Sequence, residues 1–211
     1  TYASLAYLEK LYMEAILHPD IRILSIATRP DCLSTEILDL LERLNQIKPV
    51  WVELGLQTIH ERTARYIRRG YDLPVFETAV SELRRRGIDV IVHTILCLPG
   101  ETKPDMLQTI QYLNRQDIQG IKLQLLHILK DTDLAEIYAS DPLPVPDPQE
   151  YYELLGACIS HLRPDIVIHR LTGDGPKELL IAPLWTCNKR QVLNQLQSYF
   201  KTHDIWQGKE Y

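Results

Sequence analysis

Five short apolar runs start near residues 21, 50, 88, 121 and 166, each followed by a stretch with helical spacing. No other feature constrains the fold as strongly. A run of this length is too short for a buried helix and suits a buried strand. Strand–helix repeats wind right-handed into a parallel sheet. Spacings near thirty residues suit a (β/α) barrel or an open part of one, and five strands are too few to close the standard eight-stranded form. The chain also opens with a helix, as though cut inside a βα series. The expected fold class is α/β, a partial (β/α) TIM-like barrel. The expected organisation is one domain, with core βα units over residues 1–140 and a C-terminal extension over 141–211 behind a Pro-rich connector.

The residues assign the elements. Ser4 to Leu17 is amphipathic, with Leu5, Leu8, Tyr12, Ala15 and Ile16 on one face. Strands are expected over Ile21–Ala27, Val50–Leu56, Ile88–Leu96, Ile121–Ile128 and Ile166–Leu171. Ser34 caps a helix over Thr35–Ile47. Thr58 and Glu61 have capping-box spacing before a helical stretch ended by Gly70. Pro74 starts a helix closed by Gly87, Thr102 and Asp105 cap another, and Asp147, Pro148 and Glu150 start a third. Thr132–Ala139 and Lys189–Thr202 read as helices, Leu179–Leu184 as a strand or core segment, and Thr172–Pro176 as a loop.

Composition removes several classes. With 45% hydrophobic and 24% charged residues the chain suits a globular fold, and no apolar run reaches the roughly 18 residues of a membrane span. A net charge of −5 argues against a broad nucleic-acid footprint, although Arg62, Arg65, Arg68, Arg69 and Arg84 to Arg86 form a local basic cluster. Cys32, Cys97, Cys158 and Cys187 have neither knuckle spacing nor a disulfide framework, which fits a reducing, cytoplasmic setting.

Chemistry is expected where strands end, because ligands of parallel α/β folds bind at the carboxyl ends of strands. Gln57 closes the second strand, and Arg69 lies twelve residues on. A strand-end Gln can bond a ribose hydroxyl, and an Arg can clamp a carboxylate; each is equally read as an ordinary polar terminus. His93 is either a satisfied core histidine or a ligand contact. In the fourth strand Lys122, Gln124 and Leu126 share one face, and Leu123, Leu125 and His127 the other. Polar Lys122 and Gln124 suit a wet barrel interior or an edge strand facing solvent. Lys130 follows that strand, and His169, Arg170, Thr172 and Asp174 crowd the end of the fifth.

Taken in order, Ser25-Ile26-Ala27-Thr28-Arg29-Pro30-Asp31, Glu53-Leu54-Gly55-Leu56-Gln57-Thr58, Arg69-Gly70 and Leu98-Pro99-Gly100-Glu101 resemble the third to fifth strands of the radical S-adenosylmethionine (radical SAM) barrel. Lys122-Leu123, His127-Ile128, Lys130, His169-Arg170 and Ala182-Pro183-Leu184-Trp185 resemble its YhcC-like group. The resemblance implies a partial barrel of the radical SAM type, lacking the first strands. It implies that Gln57 and Arg69 contact the SAM ribose and methionine carboxylate, that His93 stands where relatives have a ribose-binding acid, and that Leu98 and Leu126 lie near the adenine. Lys122, Gln124, His127, Lys130 and Arg170 would face the substrate. Ala27 stands where several relatives carry a SAM-binding Glu. The family's three clustered cysteines hold a [4Fe–4S] cluster; no such triad occurs here, so the cluster is expected in the full-length protein only, and this piece alone is expected to be inactive. The first strand would then be an exposed edge open to self-association. The alternative is a non-catalytic module holding tRNA or a protein partner.

Overall fold

The computed structural model describes residues 1–173 and 175–211; Asp174, in the expected 172–176 loop, lies outside the described residues. The strands are β1 (Leu24–Thr28), β2 (Val50–Gln57), β3 (Asp89–Leu96), β4 (Gly120–Leu125), β5 (Ile128–Leu129), β6 (Val167–Arg170) and β7 (Leu180–Ala182). The helices are α1 (Leu5–Leu17), α2 (Thr35–Asn45), α3 (Glu61–Tyr66), α4 (Leu73–Arg85), α5 (Lys103–Leu113), α6 (Asp133–Ser140), α7 (Pro148–His161) and α8 (Lys189–Thr202). The main sheet has the order β1-β2-β3-β4-β6, and β5 pairs with β7 in a separate sheet. The chain divides into two compact units, Thr1–Thr94 with Arg115–Ile121, and Ile95–Asn114 with Lys122–Tyr211.

In the first unit β1 pairs with β2, and β2 with β3, both parallel. Burial alternates strictly along β2: Val50, Val52, Leu54 and Leu56 are buried, while Trp51, Glu53, Gly55 and Gln57 are half-buried. The buried set faces helices, since α2 and α4 both pack on β2. Helix α2 buries Ile37, Leu38, Leu40, Leu41 and Leu44, and α4 buries Phe76, Ala79, Val80 and Leu83. Each such side chain removed from water contributes about 1.5–3 kcal/mol. One face of the sheet therefore holds the core, and the other carries polar groups.

In the second unit α5 packs on α7. Both helices begin with reciprocal capping boxes, Thr102 with Asp105 and Asp147 with Glu150, as their sequences require. Asn188 caps α8 by accepting from Gln191 N. Strand β4 lies between β3 and β6, so Lys122 and Gln124 are not on an edge strand.

Four expectations need correction. The first strand begins at Leu24 rather than Ile21, because Ile21 N closes a turn on His18 O (3.1 Å) and Leu24 N bonds Pro49 O (3.0 Å). The apolar run 121–128 is not one strand: it stops at Leu125, and Ile128–Leu129 pairs antiparallel with β7. Hydrophobicity does not mark a change of pairing strand. The capping box at Thr58 and Glu61 does not form. Thr58 Oγ1 accepts from His60 N (3.1 Å), and the Glu61 carboxylate serves Arg65 and Arg69 instead. The segment 179–184 is a strand only over Leu180–Ala182, followed by a 3₁₀ turn at Leu184–Cys187.

Phe76 is fully buried among the first unit's largest core side chains. Phe76→Ala should lower unfolding stability by about 3–5 kcal/mol. Urea denaturation followed by far-UV circular dichroism checks this.

Candidate functional site

The half-buried face of β2 and β3 carries Glu53, Gly55, Gln57 and His93 on neighbouring strands. Ladder pairing runs in step to Gly55 opposite His93, then slips, so that Gln57 stands opposite Thr94. This is a bulge, a device that re-aims a side chain at the end of a strand. Thr58 N donates to Leu56 O (2.9 Å), closing a three-residue turn centred on Gln57. Gln57 adopts φ +68° there, a conformation that costs a non-glycine residue about 1–3 kcal/mol. Its amide folds back over Gly55: a methyl group on residue 55 would lie 2.8 Å from Gln57 Nε2. A side chain at 55 would push the Gln57 amide out of this position. Gln57 Oε1 is buried and accepts no hydrogen bond among the described residues. Leaving such a group unsatisfied costs about 1–3 kcal/mol.

Beside it, His93 Nε2 lies 2.7 Å from Glu53 Oε2, and the Ser25 hydroxyl donates to Glu53 Oε1 (2.8 Å). The imidazole and carboxylate are only 21% and 15% exposed. Glu53 had no assigned role in the sequence. The signal was present, since the alternation of β2 places a carboxylate on the face that ends in Gln57.

The strand tip is braced from behind. The Arg69 side chain is 2% exposed. Its Nη1 donates to Thr58 O (2.8 Å), its Nε to Tyr71 O (2.9 Å), and its Nη2 reaches Glu61 Oε2 (3.4 Å). The Tyr71 ring lies under the Arg69 and Arg29 guanidinium groups at 4.7 and 5.9 Å, and its hydroxyl donates to the Gly55 carbonyl. Glu61 and Tyr71 line an open cleft of about 550 Å³ together with Asp31, Arg65 and Arg68. Burial pushes the Tyr71 phenol up to about 12, aided by Asp31, while Arg69 and Arg29 pull the other way.

In the second unit Cys97 follows β3 at φ +63°, and its amide donates to Met106 Sδ (3.1 Å). Burial, with Glu150 and Glu101 nearby, pushes the Cys97 thiol up to about 12, and burial does the same to Cys158. Leu98 is buried in the turn that follows, and Leu126 N bonds Leu96 O (3.1 Å). Lys122 and Gln124 are half-buried on β4. The His127 ring packs against Gly173 and Gly175, where an added methyl group would come within 2.6 and 3.0 Å. Lys130 Nζ donates to Glu178 O (3.0 Å), and Arg170 ends β6, half-buried. The first unit thus brings Gln57 and His93 onto one face and buries Arg69 behind the tip. The second places His127 against Gly173 and Gly175, and Lys130 against Glu178.

Comparison with known proteins gives this arrangement a family. The Radical SAM superfamily model matches residues 2–113, more than half of the chain, and the Radical_SAM C-terminal domain model matches residues 118–202. The chain belongs to the radical SAM superfamily. It is 39% identical to the uncharacterized protein YtqA of Bacillus subtilis over 99% of this chain, and spans 65% of that relative's length. It is 34% identical to protein YhcC of Escherichia coli K12, covering 97% of this chain and 67% of the relative. The structure of archaeal Methanocaldococcus infernus Elp3 shares the fold with a TM-score of 0.78 at 17% identity, over 95% of this chain and 46% of that one. The radical SAM enzyme coproporphyrinogen III oxidase of E. coli shares it with a TM-score of 0.57 at 18% identity, over 75% and 36%. These likenesses support the partial barrel.

Membership in the radical SAM superfamily implies SAM and a [4Fe–4S] cluster. At the strand tip Gln57 Oε1 is a buried acceptor with no donor among the described residues, which would suit a hydroxyl such as a ribose carries. The cluster finds no such fit. Among the described residues no three His, Cys, Asp or Glu side chains group as metal ligands, and the half-buried Cys97 and buried Cys158 are held as thiols.

Two outcomes follow from the strained tip of this radical SAM chain. Gln57→Gly relieves the positive φ and should raise unfolding stability by about 1 kcal/mol in urea titration. The neutral Tyr71 phenol is favoured by folding, so its contribution is constant below about pH 10, the unfolded value, and is lost as pH rises towards about 12. Tyr71→Phe should flatten that part of the stability–pH curve, measured by thermal unfolding of both proteins between pH 9 and 12.

Proposed function

We propose that the chain is part of a radical SAM enzyme and that the β2–β3 tip of its first unit binds the nucleoside of SAM. The observation that carries this is the buried Gln57 Oε1, without a partner among the described residues, on a strained turn, where a ribose hydroxyl would supply the missing donor. His93 stands beside it as a second contact. Arg69 reaches the methionine carboxylate only if that group displaces the Glu61 carboxylate from Nη2, the longest of its three contacts. In the second unit the half-buried Leu126 would offer apolar surface to a purine, with Leu98 buried in the turn after β3, and Lys122, Gln124, His127, Lys130 and Arg170 are the proposed substrate-side set.

When bound, cluster and SAM supply reductive radical chemistry, while the protein binds, orients and excludes water. This chain by itself is proposed to lack that activity, because its described residues offer no cluster ligands. Its four free cysteines suit a reducing, cytoplasmic setting. Strand β1, at one end of the main sheet, is proposed to allow self-association through its open edge.

The alternative module that holds tRNA through basic helix faces draws less support. Arg84 meets Asp89 and Asp117, Arg85 meets Glu82, and Arg86 meets Glu82, Asp39 and Glu42. The run that reads as a basic patch is internally neutralised.

Calorimetric titration with S-adenosylhomocysteine separates the two. The wild-type chain should bind it, and Gln57→Ala should weaken binding at least about 10-fold. No saturable binding, together with steeply salt-dependent association with tRNA, would favour the module instead.

A further inference from the structure

Two helices of the second unit stand apart from the others by charge. Among the described helices α8 is the one without Asp or Glu, and it carries Lys189, Arg190 and Lys201. Arg190 and Lys201 are exposed and have no ion pair among the described residues. Helix α6 is the converse. It holds Asp133 and Glu136, is flanked by Asp131 and Asp141, and has no Lys or Arg. Glu136 and Asp141 are exposed and likewise without an ion pair among the described residues.

Leu134, Ile137 and Tyr138 share one face of α6, at the three- and four-residue spacing of a helix. Yet α6 is the one described helix that buries no residue, and Ile137 is 38% exposed. Its eight residues are fewer than the roughly 12–15 that hold a helix without tertiary packing. The Thr132 side chain caps it and it rests on β5, but its apolar face is left without a cover.

A matching surface lies between the start of α7 and α8, an open groove of about 810 Å³. Gln191, Gln195 and Ser198 line it from one stripe of α8, beside the rings of Tyr152, Trp185 and Tyr199. Tyr152 sits 6.1 Å from Trp185 and 6.0 Å from Tyr199, and its hydroxyl donates to Gln195 Oε1 (2.9 Å). Leu184, 64% exposed, lies on the same lining. The cores of protein interfaces are rich in aromatic rings and poor in charge. Here the one lining carboxylate among the described residues, Asp147, is committed to capping α7.

Helix α6 does not line the groove of its own chain. The connector Asp141-Pro142-Leu143-Pro144-Val145-Pro146-Asp147 joins it to α7. Spaced prolines make such a segment a stiff, extended spacer. Trp185 Nε1 donates to Pro146 O (3.0 Å), which ties the far end of the spacer to the groove wall. A chain thus holds its own α6 outside, and a second copy is free of that restraint.

We propose that the groove docks helix α6 of a second copy of this chain, with each copy of a two-fold dimer giving one α6 and receiving the other. Leu134, Ile137 and Tyr138 cover Trp185, Tyr199 and Leu184, while Glu136 and Asp141 meet Arg190 and Lys201 at the outer lip. This contact uses none of the residues of the open β1 edge.

Sedimentation equilibrium of the full chain over a wide concentration range tests it. The wild type should show a monomer–dimer equilibrium that weakens as salt rises. One variant carries Glu136→Lys and Asp141→Lys, and another carries Arg190→Glu and Lys201→Glu. Each alone should weaken the dimer at least about 10-fold. Mixing the two should restore it, because every α6 then meets a lip of opposite charge; a variant that merely misfolds is not rescued in this way. A wild-type chain that stays monomeric, whether or not α8 then takes RNA or an unrelated acidic peptide, would overturn the inference. So would a dimer that persists undiminished in both variants, which belongs to another surface such as the β1 edge, or two monomeric variants that fail to pair on mixing.

Discussion

The slip in the β2–β3 ladder is the constraint on which the rest of the site depends. Up to Gly55 the strands pair in register, and side chains alternate between an apolar face and a polar one. One residue later Leu56 is buried without a register partner and Gln57 turns at positive φ. A regular strand at that point would avoid the backbone strain. The neighbouring structure holds it instead: Arg69 bonds the Thr58 carbonyl, and Tyr71 bonds the Gly55 carbonyl from the far side of the same turn. Strain kept in place by a buried guanidinium and a half-buried phenol indicates that the aim of Gln57 matters more than local stability.

The same arrangement explains why the polar face is built of groups that are nearly, but not fully, satisfied. Glu53 is held on both oxygens, and Arg69 has carbonyl and carboxylate acceptors. Gln57 Oε1 alone of these groups accepts nothing among the described residues. An otherwise satisfied network with one open acceptor is where an incoming donor would gain most, once the buried amide is uncovered. The basic run of α4 shows the opposite condition. Its arginines are matched by Glu82, Asp39, Glu42, Asp89 and Asp117, which leaves little net attraction for an anionic polymer.

Much of the fold was legible because it is local. The βα repeat, the Ser34 cap, the two capping boxes at Thr102 and Asp147 and the Gly87 stop each depend on residues within a few positions of one another. What the sequence concealed depends on partners far along the chain. The Thr58–Glu61 spacing signals a capping box, yet Glu61 is claimed by Arg69 eight residues away. The break in the run 121–128 is set by pairing with Leu180–Ala182. Glu53 and His93 are forty residues apart, and neither announces the other. Gln57 and His93 were recognisable as candidates from their place on strands. The bulge that aims Gln57 was not, because no residue type encodes it.

The central claim is that this strand tip is a nucleoside site, and a crystal structure of the chain with S-adenosylhomocysteine addresses it most directly. The account predicts a ribose hydroxyl within hydrogen-bonding distance of Gln57 Oε1, with the positive-φ turn unchanged from the ligand-free state. A ligand bound elsewhere, or a relaxed β2 tip whose Gln57 points to solvent, would contradict it.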